Sequence, residues 1–120
     1  MHRAVLAETN VPTRRRLTRI LRGQEFQVSS TGDGREALER IQATRPDLVV
    51  LDLRMPEISG LEVLRRIRGH DPELPVIILS SGPTDEVRAA LRLGPTDYVE
   101  KPIDPCVLLS RIQPFLRKAT

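Results

Sequence analysis

Four chemically able residues stand at, or just past, the ends of short apolar runs. Glu8 follows Ala4-Val5-Leu6-Ala7, Asp52 follows Leu48-Val49-Val50-Leu51, Ser80 follows Val76-Ile77-Ile78-Leu79, and Lys101 follows Tyr98-Val99. Runs this apolar, without polar alternation, read as strands buried on both faces of a parallel sheet. In such a sheet all carboxyl ends share one rim, where open α/β folds keep their reactive groups. The four side chains are therefore expected to converge. Two carboxylates, a hydroxyl and an ammonium suit a phosphoryl group held beside a hard divalent cation. Mg²⁺ favours one or two carboxylates completed by water and phosphate oxygen. With the cation screening the incoming charge, Asp52 can attack as a nucleophile while Lys101 and Ser80 hold the phosphoryl oxygens.

The elements that must position these groups alternate along the chain. Asp47 to Gly60, DLVVLDLRMPEISG, is the most telling segment. Its strand stops at Asp52, Met55-Pro56 forces the chain outward, and Gly60 permits a turn into a helix. This reading presents Asp52 at the rim instead of burying it. The first helix has Asn10 as N-cap, Pro12 in its first turn, an apolar stripe of Leu17, Ile20 and Leu21, and Gly23 at its end. Phe26-Gln27-Val28 is a short second strand. Asp33 and Glu36 form a capping box for a helix with Ala37, Leu38 and Ile41 inward. A third helix carries Leu61, Val63, Leu64 and Ile67. Thr84 caps a fourth with Val87, Ala90 and Leu91, stopped at Gly94-Pro95. Asp104-Pro105 opens a fifth with Val107, Leu108 and Ile112 inward, and Pro114 should kink or stop it near Gln113. Five strands alternating with five helices make a parallel sheet covered on both sides.

Composition narrows the function classes. The 120 residues, 39% hydrophobic and 29% charged, fit one globular domain. No apolar stretch nears the roughly 18 residues of a membrane span, and the amino terminus lacks an export core, so a cytoplasmic protein is expected. The single Cys106 excludes an internal disulfide and reads as core filler. The net charge of +3 is concentrated in Arg14, Arg15, Arg16, Arg19 and Arg22. These should splay around their helix as a solvated face. With one Tyr, two Phe and no Trp there are no stacking platforms, so direct nucleic-acid binding is not expected. Neither His2 nor His70 has a metal-like partner.

PDLVVLDLRMP with Gly60, PVIILSS and GPTDYVEKPID together resemble the receiver domain of two-component response regulators, from Arg3 to about Leu116. The resemblance implies a flavodoxin-like doubly wound (βα)5 fold with sheet order 2-1-3-4-5, residues 1–120 forming a single receiver domain. It makes the chain a switch, not an enzyme. Asp52 would be the phosphoacceptor, Lys101 the phosphate-binding lysine, Ser80 the switch hydroxyl and Tyr98 the rotating aromatic. Glu8, Asp52 and the backbone carbonyl of Arg54 would bind Mg²⁺. Thr9 stands where a second acid usually touches the metal, so the ion should bind weakly. Ser59 and Pro95 are smaller departures. The Lys101–Pro102 bond is cis by the resemblance, although trans is the expectation from sequence alone. Implied partners are a histidine kinase or phosphotransfer protein, a downstream effector or fused output domain, and a second copy through the fourth helix, fifth strand and fifth helix. The alternative is a pseudo-receiver, a binding module independent of phosphorylation, with Thr9 marking a decayed metal site. No output domain lies within these residues, so the chain is either a single-domain regulator or a piece of a longer protein ending near Arg117-Lys118.

Overall fold

A computed structural model describes residues 2–82, 84–95 and 97–119. Strands β1 (His2–Ala7), β2 (Phe26–Thr31), β3 (Leu48–Asp52), β4 (Val76–Ser80) and β5 (Asp97–Glu100) alternate with helices α1 (Val11–Gly23), α2 (Gly34–Thr44), α3 (Gly60–His70), α4 (Asp85–Arg92) and α5 (Pro105–Ala119). The sheet order is β2-β1-β3-β4-β5, with every neighbouring pair parallel. This is the doubly wound arrangement expected.

Past His2 and Arg3 at the start of β1, the three central strands have no polar residue before their ends because both their faces are covered. Alternate residues go to opposite sides. Val5, Ala7, Val49, Leu51, Val76 and Ile78 join Ala37, Leu64, Ile67, Val87 and Ala90 from α2, α3 and α4. Leu6, Leu48, Val50, Ile77 and Leu79 join Leu17, Leu21, Leu108 and Ile112 from α1 and α5. Two cores thus clamp the sheet, and their strands can point their terminal polar groups only at the common rim.

The caps form largely as the residue types dictate. Asn10 accepts from the Thr13 amide at 2.9 Å, and Thr84 from Val87 at 3.2 Å. Asp33 caps α2 by accepting from Arg35 and Glu36. The return half of that capping box does not form. The Asp33 amide donates to Thr31 Oγ1 at 3.3 Å, and Glu36 turns to Arg40 one helical turn on.

Other expectations need correction. β2 runs to Thr31 despite its polar end, because it is an edge strand paired in register with the whole of β1. Leu91 is 52% exposed and Val107 37%, so neither joins the core. Cys106, one residue from Val107 on the outer side of α5, is exposed and fills no core space. Pro114 does not end α5, which continues to Ala119. Ser110 and Pro114 both lie on the solvent side, where water can replace one lost helical bond, while Leu108, Ile112 and Phe115 hold the inner face. The Lys101–Pro102 bond is cis. The α1 arginines splay only in part. Arg14, Arg15, Arg19 and Arg22 border one groove beside Ser30, whereas Arg16 lies on the other side with Lys101 and Ile103. The i, i+4, i+7 spacing of Arg15, Arg19 and Arg22 puts them on one stripe. No helix among the described residues is long and apolar enough to cross a membrane.

Candidate functional site

Parallel pairing brings the strand ends together as expected. Glu8 continues from β1, its amide donating to the Thr31 carbonyl at 2.9 Å. Asp52 ends β3 and Ser80 ends β4. Lys101 follows β5, its amide donating to the Ser80 carbonyl at 2.8 Å. That bond carries the lysine side chain back across the rim.

Lys101 organises the charges. Its Nζ lies 2.6 Å from Glu8 Oε1 and donates to Asp52 Oδ2 at 3.3 Å. Glu8 is wholly buried, and its Oε2 accepts from the Asn10 amide at 3.0 Å. Oε1 has the ammonium in ion-pair contact but outside hydrogen-bond alignment. Burial raises the Glu8 pKa, an effect the lysine and the Asn10 amide offset only in part, and the Asp52 charge adds to it. For Lys101, burial works to lower the pKa, but the contacts with Glu8 and Asp52 outweigh it and the net shift is upward. The ammonium is therefore firmly charged at neutral pH.

Asp52 is more enclosed than its strand-end position suggests. Only 6% of its surface is exposed, so the expectation of a presented carboxylate is corrected. The chain folds back over it: the Arg54 amide donates to Asp52 Oδ1 at 3.3 Å, and Gly60 packs on the Asp52 carbonyl. A side chain at Gly60 would bring a Cβ to 2.0 Å from that oxygen, which is why a glycine stands there. What remains open is a cavity of about 160 Å³ lined by Asp52, Arg54, Ser80, Ser81, Thr84 and Lys101. At roughly 30 Å³ per water, it has room for a small anion with some of its hydration. A larger groove of about 800 Å³ between α2 and α3, floored by Leu38, Ile41 and Ile67, touches none of the four strand-end groups.

The oxygen donors available to a divalent cation are Glu8, Asp52 and the Arg54 carbonyl. Two carboxylates and a neutral oxygen fit the hard-ligand preference of Mg²⁺, and the buried Glu8 Oε1, in ion-pair contact with Lys101 but without an aligned hydrogen bond, supports that fit. The set is short of a third acid. Thr9 supplies a hydroxyl instead, and Oγ1 donates to the Arg54 carbonyl at 2.9 Å. Among the described residues no cluster of three acids, histidines or cysteines could hold a metal.

Tyr98 packs, half-buried, against the core shared with α2, α3 and α4, its hydroxyl donating to the Gly82 carbonyl at 3.3 Å. Burial, then the nearby Glu100 charge, raises its pKa. Three contributors escaped the sequence reading. Arg14 donates to the Glu8 carbonyl at 3.0 Å, Arg54 reaches Glu86 of α4 at 3.8 Å, and Ser81 lines the cavity. Only Ser81, next to Ser80, carried a local signal. The two arginine contacts join elements that no spacing rule connects.

Comparison with known proteins agrees with this fold. The family model for the response regulator receiver domain matches residues 4–113. The chain is 38% identical over 119 residues to the response regulator MprA of Mycolicibacterium vanbaalenii, covering 98% of this chain and 52% of that protein. It is 41% identical over 104 residues to the DNA-binding response regulator MtrA of Mycolicibacterium smegmatis, covering 85% and 45%. The chain thus spans about half the length of these relatives. Among solved structures, the receiver domain of a sensor histidine kinase from Pseudomonas aeruginosa superposes with a TM-score of 0.87 at 24% identity, covering 96% of this chain and 97% of that one. That crystal structure has a magnesium ion coordinated in the active-site cleft. At this identity the likeness carries the fold alone.

Proposed function

The chain belongs to the response regulator receiver domain family, and from that premise we propose that Asp52 accepts a phosphoryl group and thereby switches the α4–β5–α5 surface. The donor is a phosphohistidine on a histidine kinase or phosphotransfer protein. The observation that carries this reading is the placement of Asp52, with Lys101 Nζ at 3.3 Å, on a cavity it shares with Ser80.

In the transfer an Asp52 carboxylate oxygen bonds to phosphorus as the phosphorus–nitrogen bond of the donor breaks. The electron pair leaves with the imidazole, and an acyl phosphate remains. Lys101 offsets the gathering negative charge, and Ser80 donates to a phosphoryl oxygen. Glu8, Asp52 and the Arg54 carbonyl would hold Mg²⁺, which when bound supplies further screening of the two carboxylates and the phosphoryl group. The product is a dianion-like group of about −1.5 to −2 charge in a cavity one wall of which is β4 and α4. Ser80 moving toward that charge frees the space above it, and Tyr98 follows. The domain acts as a two-state signalling element, with Asp52 as its chemical input.

Leu91 on α4 and Val107 on α5 are exposed apolar side chains on the switching surface. They support pairing there with a second copy, an effector or a fused output domain. The relative MtrA is itself a DNA-binding protein. In this reading such contact with nucleic acid belongs to an output partner and not to the arginines of α1, and the domain works in the cytoplasm.

The test is incubation with acetyl phosphate and Mg²⁺, followed by mass mapping and amide exchange. The expected result is one phosphoryl adduct, on Asp52, absent from Asp52→Asn, with exchange changes between residues 82 and 105. No adduct, or one on another side chain, would overturn the reading and leave the pseudo-receiver as the better description.

A further inference from the structure

Building on the phosphoacceptor reading, we propose that Thr9 is a positioning residue that latches the Arg54 carbonyl and so sets how much Mg²⁺ the site requires. Thr9 Oγ1 donates to that carbonyl at 2.9 Å across 45 residues of sequence. Arg54 is held at two further points. Its amide donates to Asp52 Oδ1 at 3.3 Å, and its guanidinium lies 3.8 Å from Glu86 on α4. The hydroxyl therefore acts on Asp52 through one residue.

The Arg54 carbonyl is the neutral oxygen of the donor set. A carbonyl oxygen has two lone pairs, so a second partner is not forbidden. A hydroxyl proton and a divalent cation drawn to the same oxygen nevertheless repel each other. For the cation to use this oxygen fully, the hydroxyl must turn away and its bond must break. The latch has two opposed consequences. Without metal it holds Arg54 in place, and through the Arg54 amide it steadies Asp52. With metal it competes for a ligand.

A mere lack of charge at position 9 makes a different forecast. If Thr9 is only a missing acid, removing the hydroxyl at constant shape leaves Mg²⁺ affinity unchanged or lower. If Thr9 is a latch, the same change raises affinity. The isosteric Thr9→Val separates the two, Thr9→Ser is the conservative rescue, and Thr9→Asp is the added acid. Affinity for Mg²⁺ alone is read by calorimetry and by amide chemical shifts of residues 52–55. Amide exchange of residues 53–58 is read in metal-free protein, with thermal unfolding to confirm that each variant is folded.

Thr9→Val should bind Mg²⁺ about three- to tenfold more tightly than the wild type, the factor for one neutral hydrogen bond. Thr9→Ser should match the wild type, and Thr9→Asp should bind more tightly than all of them. Metal-free Thr9→Val should exchange faster around Arg54. A Thr9→Val affinity equal to or below the wild type, unchanged exchange at Arg54, or absence of binding even in Thr9→Asp would overturn the latch. These readouts need no phosphorylation. If Asp52 takes no phosphoryl group, the proposed function fails on its own test while the latch is still decided here.

Discussion

The two walls of the Asp52 cavity are built differently. The wall made by the β3–α3 connection is fastened along its length. The Gly60 amide donates to the Leu53 carbonyl at 2.9 Å, the Gly34 amide to Pro56 at 3.3 Å, and Thr9 to Arg54 at 2.9 Å. It is also packed without slack: a Cβ at Gly34 would lie 1.7 Å from the Ile58 carbonyl oxygen. The opposite wall, at the end of β4, has fewer side-chain ties among the described residues. The Ser80 hydroxyl makes no hydrogen bond to any described residue, Thr84 spends its hydroxyl on its own helix, and the Tyr98 hydroxyl bond is 3.3 Å long. The difference suits the proposed chemistry. A nucleophile must be held still, and the groups that answer the new charge must be free to move.

Four substitutions would break or sharpen this contrast. Gly60→Ala should be the most damaging, costing about 3 kcal/mol because backbone must shift to admit the methyl group; urea unfolding measures it, and a cost below about 1 kcal/mol would show that the fastened wall can yield. Lys101→Met comes next. It leaves Glu8 and Asp52 facing each other without their cation, and the loss should be about 1–2 kcal/mol, discounted from fully buried pairs because the lysine is partly exposed. An unchanged denaturation midpoint would mean that the two carboxylates do not depend on the ammonium. Thr84→Ala removes the N-cap of an eight-residue helix and should cost about 1 kcal/mol, with faster amide exchange confined to α4. Exchange that spread into β3 would make the two walls one unit. Ser80→Ala should change stability by less than about 0.5 kcal/mol, since no bond is lost, while still altering the response of residues 82–105 to phosphorylation. A large loss of stability there would reveal a tie that the contrast denies.

Legibility in the sequence followed the same division. The element sequence and the convergence of Glu8, Asp52, Ser80 and Lys101 could be read because apolar runs and strand-end polar groups are local patterns fixed by the period of a parallel strand, whereas the sheet order came only with the family resemblance. Asn10 and Thr84 could be read as caps for the same reason. The enclosure of Asp52 could not, because it depends on how the next eight residues, Leu53 to Gly60, fold back. Nor could the Thr9 bond to Arg54 or the Arg14 bond to Glu8, which join segments through space. Leu91 and Val107 misled because hydrophobic type does not fix which side of a helical stripe faces inward at its margin. The early stop at Pro114 did not follow, because both residues concerned face solvent, where water can take up the lost helical bond.

Cys106 offers a way to watch the molecule. It is the sole thiol in the chain, it stands exposed in the first turn of α5, and there is no tryptophan to compete optically. A thiol-reactive dye would attach at one known atom without any engineered residue. That helix is joined to β5 by the Arg111–Asp97 ion pair at 3.1 Å. A fluorophore there would report in real time on the packing of the last helix against the edge strand, making a slow mass measurement unnecessary for following the kinetics.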